Sequence, residues 1–129
     1  MTPEQAHQVK TLVDRSDVFN YVISHLRLQG RTSIADGICK YRGDRGTKCA
    51  VGALMTDDEY SWRWENEHIF TLIEDKMLPD DLHRRLEPHL SMLIDLQRLH
   101  DDYLCYNNGS FTENSEDRVD ELRKKWSIV

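Results

Sequence analysis

Cys49 is the residue of this sequence that could best serve as a nucleophile. It precedes the small residues Ala50-Val51-Gly52-Ala53, so its thiol could lie at the start of a helix, where a thiol pKa falls. A thiol hydrolase or transferase would then use His100 as the base and Asp101 or Asp102 as the carboxylate that orients it. Neighbouring residues on one helix point about 100° apart, which places Asp101 poorly for that task. We therefore keep this enzyme as an alternative, and expect His100 to anchor or cap a neighbouring segment instead.

Cys39 and Cys49 raise the separate question of a metal site. A hairpin that turned about Asp44 would place the two cysteines opposite each other, with side chains about 5 Å apart. Zinc needs four tetrahedral ligands, so Cys105 and a histidine would have to complete the set, and the cysteine spacing is longer than in zinc knuckles. A redox-sensitive pair is another alternative. Buried thiols are the simplest interpretation, because free cysteine is among the most buried residue types, and we expect no cofactor.

A basic segment surrounds the same predicted turn. Arg42, Arg45 and Lys48 flank Asp44, and Tyr41 could stack on a base, which is the combination that single-stranded nucleic acids use. The whole chain is acidic, with a net charge of −6. Nucleic-acid binding is therefore an alternative, and a solvated turn available to a protein partner is the preferred interpretation.

Three aromatic residues lie close together in a short polar segment, at Tyr60, Trp62 and Trp64. We expect at least one indole to close the core. The other, if it is exposed, would suit an interface, since tryptophan is enriched among residues that dominate binding energy. These three aromatic residues and the basic turn form our predicted contact set.

The apolar periodicity predicts a mainly α fold with one short β-hairpin, built as a single domain over residues 1–129 from about five helices. Thr2-Pro3-Glu4-Gln5 has the form of a capping box, Ser16 could cap a second helix, and Gly30 could end it. Alternation from Ile38 to Val51 predicts the hairpin. The later helical segments are predicted after a second capping box at Thr56, over Ile69 to Met77, around Leu82 and Leu86, from Pro88 onward, and from Val119 to Trp126, with a loop from Cys105 to Asn114.

Composition indicates a soluble, cytoplasmic protein. The chain has 129 residues, of which 39% are apolar and 31% charged, and one core can hold a chain of this length. The first residues lack the pattern of a secretion signal, and no apolar run approaches the ~18 residues of a membrane span. Residues 1–48 carry a net charge of +3 and residues 49–129 carry −9, so the charge is unevenly distributed.

The central segment CKYRGDRGTKCAVGALM, from Cys39 to Met55, is followed by Asp57-Asp58-Glu59-Tyr60 and later by Leu96-Gln97-Arg98-Leu99-His100-Asp101. Over roughly residues 24–106 the chain resembles a family of short, mostly uncharacterised proteins of tailed phages and prophages. The resemblance implies a phage origin and a location in the cytoplasm of a bacterial host. Small phage accessory proteins often bind a host protein and alter its work, so our main hypothesis is protein binding that inhibits or modulates a host factor. The sequence leaves the partner and the oligomeric state open.

Overall fold

A computed structural model describes residues 1–104 and 113–129 of the chain, and it confirms a mainly helical fold with one short antiparallel hairpin. The α-helices and strands, in chain order, are α1 Pro3–Lys10, α2 Arg15–Gln29, β1 Ile34–Ala35, β2 Ile38–Cys39, α3 Ile69–Glu74, α4 Asp80–Leu86, α5 Leu90–Arg98 and α6 Glu113–Lys125. Helix α5 continues as a π-helix over Leu99–Leu104, and short 3₁₀ turns lie at Asp44–Gly46, Gly52–Leu54, Trp62–Trp64 and Glu87–His89. Within the described ranges, no helix combines the length and the apolar character that crossing a bilayer requires.

The ends of α1 and α2 follow from local capping chemistry. Thr2 Oγ1 accepts a hydrogen bond from Gln5 N at 3.1 Å, and Gln5 Oε1 accepts one from Thr2 N at 2.8 Å, so the predicted capping box is present. Helix α2 begins at Arg15, after Asp14, and the predicted cap at Ser16 is wrong by two residues. Gly30 ends α2 as predicted, with a φ of 62° that glycine adopts without steric cost.

The hairpin lies nearer the N-terminus than predicted. Strands β1 and β2 pair with Ile34 opposite Cys39, and the residues between the strands, Asp36 and Gly37, have φ values of 54° and 76°. An Asp-Gly pair with two positive φ angles is a strong signal for a two-residue hairpin turn. The predicted turn about Asp44 forms a 3₁₀ turn flanked by an isolated bridge between Arg42 and Lys48. Cys49 therefore does not lie opposite Cys39.

The second predicted capping box forms without a helix. Thr56 N donates to Glu59 Oε1 at 2.9 Å, and Glu59 N donates to Thr56 Oγ1 at 3.3 Å, but the chain then continues as a turn to Tyr60. A capping box satisfies only the first turn, and extending a helix requires enough favourable residues to offset the cost of nucleation. Helix α3 also ends earlier than predicted, at Glu74, because Lys76 adopts a φ of 51°.

The core lies between α2, α3, α4, α5 and the segment from Cys49 to Met55. Fully buried side chains from each of these elements include Phe19, Leu26, Met55, Leu72, Leu82, Leu93 and Leu96. Helix α6 adds Val119 and Leu122, as its periodicity predicted. Its end is fixed to α5, because Trp126 Nε1 and Lys125 Nζ both lie within hydrogen-bonding distance of the buried Asp95 Oδ2, at 2.9 and 2.7 Å. Of the predicted loop from Cys105 to Asn114, positions 105–112 lie outside the described residues. Positions 113 and 114 belong to α6.

Candidate binding site

The structure seals the thiol of Cys49 inside the core. The residue is 1% exposed, and its Sγ accepts a hydrogen bond from Gly52 N at 3.3 Å. Burial raises the pKa of Cys49 to about 12, so the thiol stays protonated at neutral pH. A nucleophile needs the thiolate and access to substrate. Neither condition is met at Cys49, which disfavours the hydrolase alternative.

His100 belongs to a buried hydrogen-bond network. Its Nε2 accepts a hydrogen bond from Ser33 N at 3.1 Å, and its Nδ1 lies 2.9 Å from Asp101 Oδ1, so the proton is assigned to Nδ1. Gln97 Nε2 donates to the same Asp101 oxygen at 2.9 Å, and Gln97 Oε1 accepts from Val51 N at 3.2 Å. The network joins α5 to the segment before β1 and to the Cys49 segment, so His100 works as the anchor that the sequence led us to expect.

The expectation that Asp101 is badly placed to orient His100 is wrong. The two residues lie in the π-helical continuation of α5. A π-helix closes its hydrogen bonds from residue i to i+5, so successive side chains point in more similar directions than in an α-helix. The Asp101 carboxylate can therefore turn back onto the neighbouring imidazole. Asp102, the other carboxylate considered, has no described side chain.

The side chains that lie close enough to share a metal ion differ from the predicted set of Cys39, Cys49 and Cys105. The ligand atoms of Cys39, His100 and Asp101 lie within 4.8 Å of one another, whereas Cys49 is not part of this group and Cys105 lies outside the described residues. Cys39 is disulfide-bonded and Cys49 is a free thiol, so the expectation that Cys39 is a thiol is wrong, and no bond joins these two. Because the lone pair of His100 Nε2 is occupied by Ser33 N–H, the group is better explained as structural than as an ion site.

Two residues of the predicted contact set hold the fold together. Tyr41 is 7% exposed, and its hydroxyl donates to the backbone oxygen of Glu67 at 2.5 Å. Arg42 donates to Asp57 Oδ1 at 2.6 Å and to the Met55 carbonyl at 2.7 Å. The side chains of Tyr41 and Arg42 are therefore engaged in hydrogen bonds within the chain.

Glu65 fastens the aromatic segment to this part of the chain. Its Oε1 accepts from Tyr41 N at 2.9 Å, and its Oε2 accepts from Arg42 N at 3.2 Å and from the Tyr60 hydroxyl at 2.6 Å. The Arg42 guanidinium also lies 5.1 Å from the centroid of the Tyr60 ring. The sequence reasoning missed Glu65, because a single carboxylate between Trp64 and Asn66 carries no distinctive local signal.

The two indoles lie in different environments: the expectation that at least one of them closes the core is confirmed, and the other is exposed. Trp64 is 6% exposed and packs edge to face with Tyr60, with ring centroids 6.4 Å apart. Trp62 is 73% exposed. Ser61 Oγ caps the 3₁₀ turn by accepting from Arg63 N at 3.3 Å, and the Arg63 guanidinium lies 5.7 Å from the Trp62 ring centroid. The turn thus presents one indole to solvent and buries the other.

The remaining contact candidates lie at the turn Asp44–Gly46. Asp44 and Arg45 are exposed, and Lys48 is half-buried, with its pKa lowered by burial and by nearby Arg42. Arg45 lines a groove of about 990 Å³ that also includes Tyr21 and His25 of α2. The sequence reasoning missed this groove, although the polar face of α2 was a readable signal.

No family model matches this chain, and neither the curated proteins nor the solved structures contain a match to it.

Proposed function

We propose that this chain acts by binding a protein through a surface that includes Trp62. We further propose that it is an accessory protein of phage type that inhibits or modulates a host factor in the bacterial cytoplasm. The observation that carries the proposal is the 73% exposure of Trp62 on a turn that is itself fixed. An exposed tryptophan offers a large apolar area that a partner can bury, and tryptophan is enriched at binding hot spots.

The anchoring of the turn favours tight binding. Glu65 ties the turn to Tyr41 and Arg42, and Ser61 caps it, so little backbone freedom remains to be lost when a partner binds. Rigid presentation lowers the entropic cost of association. Burying most of the indole would contribute up to about 4 kcal/mol from apolar area alone.

The alternatives have less support. The thiol at Cys49 is 1% exposed, which weighs against it as the nucleophile of the enzyme hypothesis. Of the three cations considered for nucleic-acid binding, Arg42 is paired with Asp57 and Lys48 is half-buried, so Arg45 is the exposed cation among the three. Recognition of a protein fits these facts best.

A quantitative capture experiment tests the proposal. Tagged chain, Trp62→Ala and Val13→Ala would be immobilised and exposed to lysate of a bacterial host, and the bound proteins compared by mass spectrometry. Val13 is a matched control because it is 72% exposed in the turn between α1 and α2. We expect a specific protein that the original chain and Val13→Ala capture equally and that Trp62→Ala captures at least about tenfold less. Equal capture by all three proteins, with circular dichroism showing each one folded, would contradict the role of Trp62.

A further inference from the structure

A groove of about 990 Å³ lies between α1, α2 and the turn Asp44–Gly46. Helix α2 supplies its floor through Asp17, Asn20, Tyr21, Ser24, His25 and Leu28, which recur at three and four residues and so share one face. The opposite face of α2, which includes Phe19 and Ile23, is buried in the core. The groove therefore follows the helix from its first turn to its last.

The groove has the length of a short peptide. Asp17 and Leu28 are eleven residues apart, which corresponds to about 16 Å along a helix. An extended chain rises about 3.3 Å per residue, so about five residues fit along the floor. Gln5, Gln8 and Leu12 of α1 form one wall.

Two arginines lie at the end of the groove where α2 stops. Arg31 follows the cap Gly30, and Arg45 belongs to the turn that is held against the last turns of α2. That turn is fixed because His25 Nε2 and Gln29 Nε2 lie 3.0 and 2.9 Å from the Lys48 carbonyl oxygen. Among residues 1–104 and 113–129, neither guanidinium makes an ion pair, so both remain available to an anion.

Polar groups suited to a peptide backbone line the floor. Because His25 Nε2 donates to the Lys48 carbonyl, its Nδ1 is left as an acceptor. Burial lowers the pKa of His25, which keeps the ring neutral near pH 7. Tyr21 and Ser24 add hydroxyls that can donate or accept. These groups can form hydrogen bonds with the N–H and C=O groups of an extended chain.

We propose that this groove binds a short extended peptide segment with an acidic side chain, whose carboxylate pairs with Arg31 and Arg45. The charge of the groove favours a peptide over a nucleic acid, because two arginines are partly offset by Asp17 and the chain as a whole carries −6. A nucleic-acid backbone needs several unopposed cations. Trp62 does not line the groove, so this site is separate from the proposed Trp62 surface.

Labelled peptide pools test the proposal. Two fluorescein-labelled hexapeptide pools would be compared by fluorescence anisotropy, one with a fixed central glutamate and one with glutamine at that position, with the other positions randomised. We expect the glutamate pool to bind about tenfold more tightly, and Arg31→Gln and Arg45→Gln each to weaken that binding about five- to tenfold. Arg98→Gln removes an exposed arginine outside the groove and should leave binding unchanged.

Three results would overturn the proposal. The first is the absence of an anisotropy change with either pool at protein concentrations up to about 1 mM, a Kd that corresponds to only about −4 kcal/mol of binding free energy. The second is equal binding of the two pools or insensitivity to both groove substitutions. The third is tighter binding of a labelled oligothymidine that is lost in the same two variants, which would identify a nucleic-acid site. Trp62→Ala, measured in parallel, should bind the glutamate pool normally, so the failure of one site is distinguishable from failure of the other.

Discussion

Replacing Glu65 with glutamine would test whether this one carboxylate organises the aromatic segment. Glu65 accepts hydrogen bonds from Tyr41 N, Arg42 N and the Tyr60 hydroxyl. A glutamine side chain has nearly the same shape, but one of its two positions becomes an NH₂ group that only donates. At least one of the three donors must then lose its acceptor.

The expected cost follows from that loss. Leaving a buried donor without a partner costs about 1–3 kcal/mol, and a hydrogen bond to a charged group is stronger than one to a neutral group. We therefore expect Glu65→Gln to lower the free energy of unfolding by about 2–4 kcal/mol. Glu67→Gln provides the matched control, since it removes the same charge from an exposed side chain two residues away and should cost less than about 0.5 kcal/mol.

Urea unfolding followed by tryptophan fluorescence would measure both variants. A cycle with Tyr60→Phe isolates the part of the loss that passes through the tyrosine hydroxyl. We expect a coupling of about 1 kcal/mol between the two sites, because the Tyr60–Glu65 distance of 2.6 Å is that of a charge-assisted bond. Equal losses in Glu65→Gln and Glu67→Gln, or a coupling of zero, would refute the organising role of Glu65.

Three further predictions concern the core and its ion pairs. Gly52→Ala should lower the free energy of unfolding by more than about 3 kcal/mol or prevent folding, because a Cβ there would lie 2.1 Å from the Tyr41 carbonyl oxygen. Gly46→Ala should lower it by only about 1–2 kcal/mol, because the positive φ of Gly46 is strained for alanine. Thermal unfolding of the two variants would measure the difference. Arg85→Met should destabilise the fold by about 3–5 kcal/mol at pH 7, because it leaves Glu59 with a side chain only 10% exposed and no partner from Arg85. Burial raises the pKa of Glu59, but Arg85 and the hydrogen bonds with Thr56 together lower it by more, so the pKa lies below its usual value. The pair therefore stabilises the fold above the ordinary carboxyl pKa, and its contribution is lost as pH falls through the depressed value. Urea unfolding should accordingly show a smaller penalty for Arg85→Met near pH 3, and a penalty independent of pH would contradict the pairing. A thiol probe at pH 8 should modify Cys49 only at the rate of unfolding, since the side chain is 1% exposed with a pKa of about 12; fast modification of Cys49 in folded protein would show that the thiol is accessible.

Several side chains that could in principle act in catalysis or metal binding are instead held in internal hydrogen bonds. The imidazole of His100, the carboxylate of Asp101 and the amide of Gln97 form one chain of hydrogen bonds. Arg85, besides pairing with Glu59, donates to the Leu54 carbonyl. Buried polar groups must be satisfied to avoid a desolvation cost. In this chain the buried polar groups connect short irregular segments to the helices. Backbone pairing in the 3₁₀ turns and two-residue strands could not stabilise those segments alone.

The sequence by itself determined the features that depend on neighbouring residues. The capping box at Thr2, the stop at Gly30 and the helical stripe of Leu93 and Leu96 all follow from interactions within four residues. The burial of at least one of the two indoles was also predictable, since large aromatic side chains contribute strongly to the core of a small domain.

Only the tertiary structure decided the features that depend on residues far apart. Thr56 and Glu59 form a capping box in either a helix or a turn, and the fold selects the turn. Whether Tyr41 faces solvent or the core depended on the backbone of Glu67, 26 positions away. The groove likewise requires α1 and the Arg45 turn to meet α2. Local periodicity fixes which side of a helix is polar, but the packing of distant segments determines what that side faces.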